Sequence, residues 1–68
     1  MSTDKEKHLH GFALRVVKAM KRDELKRSKE TEAVMKEASV LNIQPNQVLA
    51  YTQNNMDKLK KESGLFEG

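Results

Sequence analysis

Apolar residues recur along the first third of the chain at the spacing of an α-helix. Leu9, Phe12, Ala13, Val16, Val17 and Met20 repeat at three- and four-residue spacings, so a helix places them on one stripe. Thr3-Asp4-Lys5-Glu6 has the form of a capping box, in which the threonine accepts from a free amide and Glu6 reaches back. A helix beginning near Asp4 is therefore predicted. Gly11 weakens it by about 1 kcal/mol relative to alanine. No glycine or proline then interrupts the chain from Phe12 to Asn42. From Lys21 to Glu32 the pattern is polar, with Leu25 the only apolar residue. Either the first helix runs through as an exposed, ion-paired rod, or the chain breaks near Ser28 to Thr31 and Thr31 caps a second helix. The break is favoured, because a small monomer must fold back on itself.

A second helix is expected over roughly residues 32–42, with Val34, Met35, Ala38 and Leu41 inward. Asn42 tolerates the left-handed conformation that ends a helix. Ile43 then plugs the corner, and Pro45 opens a third helix, where its missing amide costs nothing. That helix is predicted to run to about Ser63, with Val48, Leu49, Thr52, Met56 and Leu59 inward. Gly64 is placed to stop it, and Leu65 to fold back onto Leu59. There is no strand pattern, repeat or low-complexity linker. The expectation is an all-α fold in a single small domain, residues 1–68: three helices, the first the longest, with a helix-turn-helix-like pair on the C-terminal side.

Residues 34–55 resemble the helix-turn-helix of small DNA-binding regulators. The small residue in the first helix is Ala38. The apolar residue before the turn is Leu41, and Asn42 stands where glycine is usual. Ile43 follows the turn, Val48 is the β-branched residue of the second helix, and Tyr51 the later apolar position. Two positions depart from the pattern: Glu37 replaces an apolar residue, and Leu49 replaces a small polar one. A plain helical corner makes the same demands on Ala38, Asn42 and Ile43. The resemblance implies that the start of the third helix enters the major groove. The side chains offered there are Gln44, Asn46, Gln47, Ala50, Gln53 and Asn54, and Asn or Gln reads adenine with two hydrogen bonds. None of them is basic.

Charge is uneven. Residues 1–30 hold nine Lys/Arg against five Asp/Glu, and residues 31–68 hold four against five, so the net +3 belongs to the N-terminal half. Arg15, Lys18, Arg22, Lys26 and Lys29 follow steps of three and four. They line one face if the first helix persists to Lys29, and such a stripe could follow a phosphate backbone with salt-sensitive affinity. A solvated helix face gives the same pattern.

Other chemistry finds little support. A chain of 68 residues buries only about 60% of the surface its unfolded form exposes. It has no cysteine, so neither disulfides nor thiolate zinc reinforce it. Self-association, as a homodimer, is the expected remedy. His8 and His10 are two apart, not the three or four that a helical metal pair needs, so no metal is expected, and no cofactor. No phosphate loop or nucleophile–base pattern is present, and so small a core can hardly enclose a pocket of roughly 300 Å³. Neither an enzyme nor a small-molecule substrate is expected. The longest apolar run, Val48 to Tyr51, is far short of the roughly 20 residues that span a bilayer. A soluble cytoplasmic protein without a membrane partner is expected. Met20, Met35 and Met56 read as core filling or as an adaptable docking face. An RNA-binding bundle would have only Phe12, Tyr51 and Phe66 to stack on bases. The leading expectation is a small non-enzymatic DNA-binding regulator, and the alternative a helical adaptor or inhibitor that docks an amphipathic face on a larger protein.

Overall fold

The computed structural model describes the backbone of residues 2–64 and the side chains of residues 4–64. They form four helices: α1 (Ser2–Ala19), α2 (Glu24–Val40), α3 (Pro45–Asn54) and α4 (Met56–Ser63). The described residues contain no strand, so the all-α class holds. The expected third helix is two, because Asn55 interrupts it.

α1 is the shared wall of the molecule, and each of the other three helices packs on it. Phe12 and Val16 face Val34 and Ala38 of α2, Ile43 of the corner and Val48 of α3, with Leu9 and Met35 at the edge. Ala13 and Val17 form a second cluster with Leu59 of α4, flanked by Leu14, Tyr51 and Met56. The sequence stripe thus serves two clusters on adjacent sides of one helix. Met20, expected inward, is 40% exposed at the end of α1.

The chain breaks earlier than expected. α1 tightens as it ends, the Met20 amide donating to both Val16 and Val17 carbonyls at 3.2 and 3.1 Å, and Arg22 to Ala19 at 2.9 Å. Asp23, not Thr31, caps α2: its carboxylate accepts from the Lys26 amide at 3.0 Å. Thr31 lies inside α2. At the other end α1 is already helical at Ser2, one residue before the expected threonine cap. The Thr3 side chain, Leu65 and Phe66 lie outside the described residues.

The α2–α3 corner forms as the residues dictate. Asn42 has φ 61°. Its amide donates to Ser39 O at 3.0 Å and the Ile43 amide to Ala38 O at 2.9 Å, the paired closure of a Schellman motif. Ile43 is buried against Ala38 and its neighbours. Pro45 takes the first position of α3, and Gln47 Oε1 accepts from the Gln44 amide at 2.8 Å. Further on, Asn55 kinks the chain rather than ending it. Its amide and its Nδ2 both donate to Tyr51 O, at 3.0 and 2.9 Å, and its own carbonyl accepts from Leu59 at 2.9 Å. Gly64 closes α4 with φ 69°.

Candidate interaction surfaces

The basic stripe does not form a single helix face, because α1 stops at Ala19. Arg15 and Lys18 stay on α1, Arg22 lies in the turn, and Lys26 and Lys29 sit on the first two turns of α2. Arg15 faces α2. Its Nε donates to Glu30 Oε1 at 3.1 Å, with Nη2 at 3.0 Å from the same oxygen, and its Nη1 lies 2.9 Å from Glu37 Oε2. The bond to Glu37 raises the guanidinium pKa above its ordinary value, partial burial works against this, and Glu30 adds to the rise. Arg15 is therefore a clamp between helices. Glu37, an oddity in the helix-turn-helix comparison, is explained by this clamp. Lys18, Arg22, Lys26 and Lys29 are exposed.

On α3, Asn46, Leu49 and Gln53 follow steps of three and four and share one outward face, all exposed, with Ala50 beside them. Leu49, expected inward, is 46% exposed. Gln44 caps the helix, exposed, and Gln47 is half-buried with its carbonyl spent on the Gln44 amide. Asn54 is exposed at the helix end. From Ala38 to Met56 the chain has no charged residue. The nearest α2 cation of the expected stripe is Lys29, eleven positions before Val40 and so about 16 Å along the helix. The polar side chains of α3 and the α2 lysines of the expected stripe are thus at opposite ends of α2, with Lys36, outside that stripe, the nearer exposed cation.

Apolar side chains remain uncovered at the end of α2. Val40 is 82% exposed and Leu41, expected inward, 44%. With His8, Phe12 and Glu37 they line an open groove of about 390 Å³. His8 stacks on Phe12 with ring centres 6.4 Å apart. A wider hollow of about 520 Å³ lies between the end of α1 and the start of α2, lined by Val16, Met20, Arg27 and Thr31 with Glu24 and Glu32. Its rim mixes charges of both signs. Sequence reasoning missed Val40, although its position two residues past Ala38 takes it off the inner stripe.

A side-chain chain ties α1 to α3 and α4. His10 Nδ1 lies 2.8 Å from Tyr51 Oη, and His10 Nε2 lies 3.0 and 3.2 Å from the two Glu62 oxygens. With the proton on Nε2, the ring donates to Glu62 and accepts from the Tyr51 hydroxyl. The His10 and Tyr51 rings meet edge to face at 5.8 Å. Nothing local marks these residues, which lie 41 and 52 positions apart. The network engages Tyr51 in the fold rather than leaving it to stack on bases. Among the described residues no three His, Asp or Glu side chains gather as metal ligands, and no helix is long and apolar enough to cross a membrane.

No family model, curated protein or solved structure matches the chain.

Proposed function

We propose that this chain is a helical protein-interaction module that docks on a larger partner through apolar side chains its own fold leaves uncovered. The observation that carries this reading is the end of α2, where Val40 and Leu41 stand open beside Phe12. A protein with so little apolar residue to spend, 37% of the chain, leaves a valine almost fully in water there. Uncovered aliphatic side chains beside an open groove offer a partner's apolar residues surface to bury. Leu49 adds a second uncovered aliphatic on α3. Capture from a native extract tests the reading. Val40→Glu and Leu49→Glu are expected to keep the helical spectrum and one or both to lose a specific partner that the parent chain retains. Capture indifferent to both changes would sink it.

DNA recognition is the second reading, favoured by the α2–α3 corner. Ala38, Ile43 and Val48 are buried and Asn42 has a positive φ, as any tight helical corner requires, and the resemblance rests on these same residues; Asn46 and Gln53 are exposed. In that reading α3 reads bases while Lys18, Arg22, Lys26 and Lys29 hold phosphates from the far end of α2. Anisotropy with a random duplex pool at about 50 and about 200 mM salt separates the two readings. Binding that falls steeply with salt, and is lost in Asn46→Ala with Lys26→Glu, supports DNA. Absence of binding at low salt removes it.

A further inference from the structure

We propose that the face shared by α1 and α2 receives an amphipathic helix from a partner protein. The partner's apolar residues lie over the groove at Phe12, Val40 and Leu41, and its acidic residues lie toward Lys18, Lys26 and Lys29. The inference rests on the interaction reading above and names the partner's chemistry.

Two rows of side chains build the face. On α2, Lys26, Lys29, Ala33, Glu37 and Val40 follow steps of three, four, four and three, which places them on one side of the helix. On α1, His8, Gly11, Arg15 and Lys18 follow steps of three, four and three. The rows run antiparallel, since His8 shares the groove with Val40 while Arg15 reaches Glu30 and Glu37. The face therefore has its uncovered apolar side chains at one end, flanked by Lys36, Lys7 and Asp4, an ion-paired middle, and only lysines at the other end. Both carboxylates in the middle are turned to Arg15, which leaves lysines to set the sign of the far end.

The relief fits a helix. Gly11 and the half-buried Ala33 add little bulk beside the Arg15 clamp, and apart from its own helix's backbone nothing lies within 4 Å of where a side chain on Gly11 would begin. From Lys26 to Val40 the face extends fourteen residues along α2, about 21 Å, or about four turns of a partner helix. Charge complementarity selects the occupant. A nucleic acid would use the lysines and gain nothing from Val40 and Leu41. The larger hollow beside Met20 has Glu24 and Glu32 on its rim together with Arg27, and selects no sign of charge.

The test uses two synthetic helical peptides of about 18 residues, a length slightly over the face. Both carry leucine and phenylalanine at one end; one carries glutamates at the other end and its control carries lysines. Amide shifts of the full-length labelled chain report the site. The acidic peptide is expected to move Gly11, Lys18, Lys26, Lys29 and Val40 and to bind at least tenfold more tightly than the control. Lys26→Glu with Lys29→Glu is expected to reverse that preference. A Cβ on Gly11 meets nothing within 4 Å and the position is exposed, so Gly11→Gln is expected to stay folded and to block the peptide. Equal binding of both peptides overturns the proposal, as does self-association through this face, or occupation of the basic end by a DNA duplex or anionic vesicles but not by peptide. Shifts confined to the Leu49 side of α3 overturn it while leaving the interaction reading intact. That reading fails separately, when capture ignores Val40→Glu and Leu49→Glu.

Discussion

The two corners that flank α3 turn the chain by different means. Before α3, Asn42 holds a left-handed backbone, the Schellman pair closes α2, Ile43 fills the space below, and Pro45 restarts the helix. After α3, Asn55 keeps φ at −121°, which any residue adopts, and both of its donors go to one carbonyl, Tyr51 O. The first corner is specified by Asn42, Ile43 and Pro45 acting together. The second is a local bend, and its geometry is held from outside: Leu59 is buried against Ala13 and Val17, and Glu62 is tied to His10. A corner with its own chemistry can be read from its sequence; a corner imposed by packing cannot.

Substitution separates the two. Ile43→Ala empties the plug of the first corner and is expected to cost about 3 kcal/mol. The whole domain has only roughly 3–10 kcal/mol at typical stability per residue, so urea unfolding should show a variant near its limit. Met56→Ala, half-buried at the second corner, is expected to cost clearly less in the same titration. Asn42→Ala places a side chain without local hydrogen bonding at positive φ and is expected to cost about 1 kcal/mol, whereas Asn42→Gly is tolerated. Tyr51→Phe removes the hydroxyl from His10 and is expected to cost about 1 kcal/mol, with earlier hydrogen exchange in α4 than in α2. Asn55→Ala is the smallest change, expected within about 0.5 kcal/mol because the backbone there suits any residue. A loss at Asn55 equal to that at Asn42 would show that the second corner has chemistry of its own.

The same distinction explains what was legible beforehand. Asn42, Ile43, Pro45 and Gly64 announce their conformations, and Phe12, Ala13, Val16, Val17, Val34, Ala38, Val48 and Leu59 their burial, through residue type and spacing alone. The break between α1 and α2 was misplaced because Lys21 to Glu32 offers two capping residues, Asp23 and Thr31, amid strong helix formers. The end of the apolar stripe at Met20 was visible, and it is the feature nearer the true break. Met20, Leu41 and Leu49 were expected inside because periodicity tells which side of a helix is apolar but not how far the opposing helix extends. The polar residues of α3 were placed correctly on its surface, apart from Gln47, whose side chain is drawn into its own cap. The basic stripe required a continuous helix and lost its straight geometry when α1 ended. His10, Tyr51 and Glu62 carry no mutual signal in the sequence, since only the packed chain brings them together.

The central place of α1 sets an order on the chain's maturation. Synthesis runs from the N-terminus, so α1 emerges before α2, α3 and α4, which lean on it. Its Phe12 and Val16 side finds cover once residues 34–48 follow. Its Ala13 and Val17 side waits for Leu59, more than forty positions later. Contacts so distant in sequence slow closure, because the loop must be ordered before the contact rewards it. Until α4 arrives, the nascent chain therefore presents a half-finished helix bundle with one greasy flank, the state in which a chaperone or a second chain competes most effectively with Leu59 for that flank.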